Sequence, residues 1–208
     1  MKHRFITLFL CALVIVTAVA SASFASKQTS TGSKKLTLTS TSFKRNALMP
    51  ARFGYGDGGD GFGIAGGENM SPQLSWKTKR TNIKSYALLM WDKHPIAEKW
   101  VHWCVVRIPP EMTTIPEGYS TTLVLGTQTA PVQLTNTFGF HAYGGPIPPE
   151  GSGLHQYELW LVGLNTTDIG DITDPASGKA GSCGVDAFKK AIKGKTVAEG
   201  KYIGKFKQ

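Results

Sequence analysis

The sequence lacks most of what would make it an obvious enzyme, filament or nucleic-acid binder. No glycine repeat runs through its 208 residues, which excludes a collagen-like chain, and there are no internal repeats. Clustered arginines interleaved with aromatics are missing, so no nucleic-acid partner is expected. A Gly-x-Ser-x-Gly elbow, a Ser-x-x-Lys with Lys-Thr-Gly set and a His-Glu-x-x-His helix are all missing, so neither catalysis nor a cofactor is expected. After Ala20 no apolar run is long enough to span a bilayer. Acidic residues are few, 14 against 23 basic, for a net charge of +9.

What is present is enough apolar material, 41%, for one packed core. Lys2 and Arg4 precede the apolar run Phe5 to Ala20, and Ala20-Ser21-Ala22 follows as a small-x-small site. This reads as a secretory signal peptide over 1–22, cut near Ala22 or Ala25, with no stable membrane insertion afterwards. The run is short for a membrane anchor, and Cys11 inside it lacks the small residues a lipidation site needs. Removing two basic residues and no acidic one lowers the charge to +7, which suits weak attraction to anionic ligands. Residues 23–35, rich in Ser, Thr and Lys, read as a flexible leader, and 36–208 as a single domain in the periplasm or secreted. An oxidising compartment permits a Cys104–Cys183 bridge. A buried free thiol at Cys104, inside an apolar run, is equally ordinary, and the sequence leaves both open.

Period-two patterning and turn residues predict strands at 36–40, 73–77, 85–91, 102–108, 120–125, 156–164 and 202–206. A helix is predicted at 185–193, with Val185, Phe188 and Ile192 on one face. Many short strands and few helices make the chain mainly β, a sandwich or barrel. Residues 54–67 hold eight glycines and read as a flexible loop. Asp57 and Asp60 within it lack the oxygen spacing and terminal Glu of a calcium loop.

Two stretches carry the polar chemistry. In the first, Trp91-Asp92-Lys93-His94-Pro95 is followed by Trp100-Val101-His102-Trp103. Regular alternation would put His102 on one face with Cys104 and Val106. Such a histidine is either a pocket donor to an anion or a satisfied core residue. In the second, a Gly/Pro loop from Tyr143 ends at His155-Gln156-Tyr157. His155 and Tyr157 then share a face, and an imidazole beside a phenol can cradle an anion or form a buried pair. A metal triad of His102, His141 and His155 has no metal-site spacing.

Taken together these stretches resemble the phosphatidylethanolamine-binding protein family, in its bacterial Raf-kinase-inhibitor-like branch. Gly67-Glu68-Asn69-Met70-Ser71-Pro72-Gln73-Leu74-Ser75-Trp76 is similar to its Gly-x-Asn-x-Ser-Pro-x-Leu-x-Trp stretch. Pro95 through His102-Trp103 resembles its Asp-Pro-Asp-x-Pro segment with the following His and aromatic. Pro148-Pro149-x-Gly-x-Gly-x-His155-x-Tyr157 resembles its Pro-Pro-x-Gly-x-x-x-His-Arg-Tyr signature, and 195–206 its closing Gly-x-Tyr strand. The resemblance implies a β-sandwich with a few peripheral helices, one near the C-terminus, and a pocket for a small anionic or phosphorylated ligand. His102, Pro148, His155 and Tyr157 match the family's pocket residues position for position. The acidic segment does not. Counting back from His102 puts Trp91 where the first family Asp belongs and Lys93 at the second, so Asp92 enters the pocket only by a one-residue slip. Gln156 replaces the family Arg. Two functions follow as expectations: a non-catalytic binding protein for a small anion, with His102 and His155 donating hydrogen bonds, or an inhibitor-like module that meets a protein partner through the pocket rim.

Overall fold

The structure, a computed structural model, describes residues 34–56, 62–122, 131–173 and 181–208. The proposed signal peptide and most of the leader lie outside these residues. In chain order the elements are β1 (Leu36–Thr39), β2 (Leu74–Thr78), β3 (Ser85–Asp92), β4 (Val101–Ile108), β5 (Thr114–Ile115), α1 (Tyr119–Thr122), β6 (Val132–Gln133), β7 (His155–Leu164), α2 (Val185–Ile192) and β8 (Thr196–Phe206). Single 3-10 turns occupy Ala51–Phe53 and Pro95–Ala97. The strands form two antiparallel sheets, β1-β2-β5 and β6-β4-β3-β7-β8.

Three layers result. Leu36, Leu38, Leu74 and Trp76 from the small sheet pack on Leu88, Met90, Trp103, Tyr157, Leu159 and Leu161 from the large one. The other face of the large sheet presents Leu89, Cys104, Trp160 and Val162 to Val185, Phe188 and Ile192 of α2. A strand covered on both sides needs apolar residues at successive positions, which is why the middles of β3, β4 and β7 (87–91, 103–106 and 159–162) read as continuous apolar runs. β1 is covered on one side only and alternates buried with exposed. Cys104 and Cys183 are joined by a disulfide within the helix-covered layer, their Cα atoms 6.6 Å apart. Among the described residues no helix is long and apolar enough to cross a membrane.

One expectation is corrected, and two are narrowed at their described ends. The segment predicted as a strand at 120–125 begins instead as the helical turn α1, and 123–125 lie outside the described residues. Pro116 and Gly118, the latter at φ 75°, bend the chain there, and Ser71 Oγ accepts the Ser120 N–H. The described ends of the 54–67 loop are not loose: Ile64 N–H donates to Tyr55 O, and Asn69 N–H to Gly54 O. Their glycines permit contact rather than motion, since a Cβ on Gly67 would sit 2.3 Å from Tyr55 O. Finally, the last leader residues are pinned, with Lys35 bridged to Glu199 and Lys34 O accepting the Glu199 N–H.

Candidate functional site

The site is built where β3 and β7 end side by side, with Asp92 paired across from Tyr157. Leu88 and Met90 enter the core between the sheets, so a period of two carries Asp92 to that same face and Trp91 to the other. The one-residue slip therefore occurs, and Trp91 does not plug the site. Its Nε1 donates to Glu158 Oε1 (3.3 Å) on the helix-covered side. Lys93 (3.5 Å) and Lys201 (3.0 Å) pair with the same buried carboxylate. Lys93 thus points away from the histidines instead of taking the place of a pocket acid.

Asp92 is held at both oxygens. The His94 backbone N–H donates to Oδ1 (2.8 Å), and His155 Nδ1 lies 2.5 Å from Oδ2. The other ring nitrogen of His155, Nε2, is 2.9 Å from Ser152 Oγ, whose own hydroxyl donates to Pro149 O. The His94 ring stacks on His155 at 3.9 Å. Both nitrogens of His155 are therefore engaged by the protein, and this residue does not present the free donor expected of it. Pro148 is buried beside this turn.

His102 reaches the same cluster through an irregularity. Met90 pairs with Trp103 but Trp91 with Val101, so His102 is the extra residue of a β-bulge. The bulge turns its ring away from Cys104 and against Tyr157, edge to face at 5.0 Å. Nδ1 donates to Gly144 O (2.8 Å) and approaches Gly145 O (3.2 Å). Burial depresses this imidazole to a pKa of about 4, against the opposing pull of the Gly144 carbonyl and Asp92. His102 is therefore uncharged near neutrality and offers no charged donor. A histidine whose folded pKa lies below its unfolded one stabilises the fold fully above about pH 6.5, and that stability is lost as pH falls toward 4. The expected loss is on the order of 3 kcal/mol. Urea titrations between pH 7 and 4 should show it, and His102→Gln should flatten it.

Tyr157 completes the cluster. It is fully buried, and its hydroxyl faces the Asp92 carboxylate without closing a hydrogen bond of ordinary geometry. Burial, reinforced by the Asp92 charge, holds the phenol protonated far above its ordinary range.

Three contributors were not singled out from sequence: His94, Ser152 and Asn69. Asn69, at φ 50°, accepts the Gly145 N–H through Oδ1 (2.9 Å) and so fixes the carbonyls that hold His102. Gly145 must be glycine because a Cβ would lie 2.3 Å from the Gly54 backbone. The signal for Asn69 was its place in the Gly67-to-Trp76 stretch. His141 is exposed and contacts Thr135, outside the cluster. A cleft of about 540 Å³ adjoins the cluster, with Asp92, His94, Lys93 and the first turn of α2 in its wall.

Residues 39–207 match the model of the phosphatidylethanolamine-binding protein family. A UPF0098 protein of Methanothermobacter thermautotrophicus is 33% identical over 142 residues, covering 68% of this chain and 85% of that protein. YbcL of Escherichia coli K12 is 36% identical over 110 residues, 52% of this chain and 60% of the relative's length. The crystal structure of E. coli YbcL, described as a member of the mammalian PEBP family, superposes with a TM-score of 0.66 at 24% identity, over 84% of this chain and 99% of that one. The chain belongs to the phosphatidylethanolamine-binding protein family.

Proposed function

We propose that the protein is a non-catalytic, extracytoplasmic binding protein whose buried cluster receives a small phosphate-type anion. The observation that carries this reading is the Tyr157 hydroxyl, buried against His102 and facing the Asp92 carboxylate without closing a hydrogen bond of ordinary geometry. Leaving such a group unsatisfied costs about 1–3 kcal/mol, so the fold maintains it against stability. A ligand oxygen would supply the missing acceptor. The half-buried His94, which stacks on His155 and also lines the cleft, stands between that cleft and the cluster. The disulfide supports an oxidising compartment, in line with the apolar N-terminal segment.

Calorimetric titration with phosphate and with phosphoethanolamine tests the reading. Binding at millimolar concentration or better is expected. Tyr157→Phe should weaken it at least ~10-fold while leaving the unliganded protein as stable or up to ~1 kcal/mol more so. No heat up to ~10 mM ligand would remove the proposal. A second reading, recognition of a protein partner at the rim, is favoured by the exposed Ile96 (56%) and Leu154 (46%), which adjoin the stacked His94–His155 pair in sequence. Under that reading Tyr157→Phe leaves partner recovery unchanged.

A further inference from the structure

The face of the large sheet that looks away from the small sheet and from the buried histidines is only partly covered by α2. Cross-strand partners point to one side, so Trp91, Glu158 and Ile203 form one row across β3, β7 and β8, and Trp160 and Lys201 belong to the next. On β8 the outward positions stay uncovered: Glu199 and Lys201 are exposed, and Ile203 and Lys205 are half-buried. The lysines here are held in place. Lys201 Nζ lies 3.0 Å from Glu158 Oε1 and 4.6 Å above the Trp160 ring. Lys93 Nζ is 3.5 Å from Glu158 Oε2, and Lys189 of α2 stands 5.6 Å over the Trp91 ring. Glu158 is buried beneath two ammonium groups, so its single charge does not cancel theirs. The other acids are also engaged: Glu199 accepts the Trp160 N–H, and Asp186 pairs with Lys99 and Lys189. Ordering a free lysine costs about 1.5–2 kcal/mol of rotamer freedom, and here the fold has already ordered three of them.

Shape and charge select the occupant. α2 packs on this same face and rises above it by about a helix diameter, ~10 Å, so the uncovered part of β8 is the floor of a step. A flat bilayer or a broad protein surface would meet α2 before it met the floor, and lysine is depleted from protein interfaces. A peptide that adds a strand needs a free edge. The β8 edge is already bonded: Glu199 N–H donates to Lys34 O, Lys205 N–H to Ala47 O, and Ile203 O accepts the Asn46 N–H. Single-stranded nucleic acid stacks on open aromatic faces, whereas Trp91 and Trp160 each lie under an ammonium group. A flexible polyanion held by its charges fits the step. We propose that the step between α2 and β8 binds an acidic polysaccharide, its carboxylate or sulfate groups lying over Lys93, Lys189, Lys201 and Lys205. This surface is on the opposite face of the sheet from the Asp92–His155–Tyr157 cluster and is independent of what that cluster binds.

The test is calorimetric titration of the full protein near neutral pH with an oligogalacturonate and with a heparin fragment of matched length. Dissociation constants of about 10–100 μM are expected at ~50 mM salt, rising at least ~10-fold at ~200 mM. Lys189→Gln combined with Lys205→Gln removes two cations that do not pair with Glu158, so the buried carboxylate keeps its partners. This variant should bind both glycans at least ~5-fold more weakly. Lys77→Gln combined with Lys79→Gln takes the same charge from exposed positions at the end of β2 and should change affinity less than about twofold. Equal losses in the two variants would mean that only net charge matters and would overturn the proposal. No heat from either glycan at ~50 mM salt would also overturn it. So would equally tight binding of polyglutamate, or of vesicles made from equal parts of phosphatidylcholine and phosphatidylglycerol. In a proton–nitrogen NMR titration the indole N–H signals of Trp91 and Trp160 should move while the His155 ring signals stay fixed. The reverse pattern would place the glycan at the Tyr157 cluster and remove the proposed site.

Discussion

Replacing Cys104 and Cys183 together with alanine should lower stability by about 4 kcal/mol, and the melting temperature by roughly 10 °C. The two residues are 79 apart in sequence, so the bond closes a long loop and removes much freedom from the unfolded chain. Both lie in the layer under α2, and Cys183 stands two residues before the helix begins. Its backbone N–H also donates to Thr135 O. The bond therefore anchors the start of α2 to β4, and with it the wall of the cleft beside Asp92. Urea unfolding of the oxidised protein, the reduced protein and the double variant checks this. The oxidised form should be the most stable, and amide exchange in α2 should accelerate first in the other two. Equal midpoints for all three would mean the thiols are unbridged in solution. That result would also withdraw the support the bond gives to an oxidising compartment.

The large sheet was legible because its pattern is simple. β3, β4 and β7 carry unbroken apolar stretches at their middles, 87–91, 103–106 and 159–162, as strands covered on both faces do. α2 was legible from Val185, Phe188 and Ile192 on one stripe. β8 was seen only in its last five residues, because Gly200 and Gly204 weaken the strand pattern. The structure supplies the reason they are there. A Cβ on Gly200 would lie 2.4 Å from Leu36 O, and one on Gly204 2.5 Å from Met49 Sδ, so neighbouring chain occupies the space. Of the site, His155 and Tyr157 followed from alternation along one strand. Asp92 was obscured because counting back from His102 crosses a bulge and a 3-10 turn, both invisible to residue counting. Alternation within 85–92 alone places Asp92 inward, so local periodicity was the better guide there than distant spacing. Ser152 and His94 lay within the two polar stretches, but nothing local gave either a role. They matter only because the fold brings residues 149–152 and 92–94 together around one imidazole.

Asp92→Ala should cost about 3–5 kcal/mol, because it strands the buried His155 ring and the His94 N–H that now share its carboxylate. Asp92→Asn keeps one acceptor oxygen but turns an NH2 toward a donor, so its cost should be smaller, about 1–3 kcal/mol. A double-mutant cycle with His155→Gln, followed by denaturant unfolding, should return a coupling above ~1 kcal/mol for residues this close. Stability alone does not distinguish a structural pair from a binding site, but the direction of ligand affinity does. Asp92 places a negative charge beside Tyr157, where the anion is proposed to sit. Removing that charge relieves repulsion, and the asparagine amide adds donors. Asp92→Asn should therefore bind phosphate severalfold more tightly even as it folds less stably. A carboxylate that served only to hold His155 in place would give the opposite result, with stability and affinity falling together as the cluster loosens.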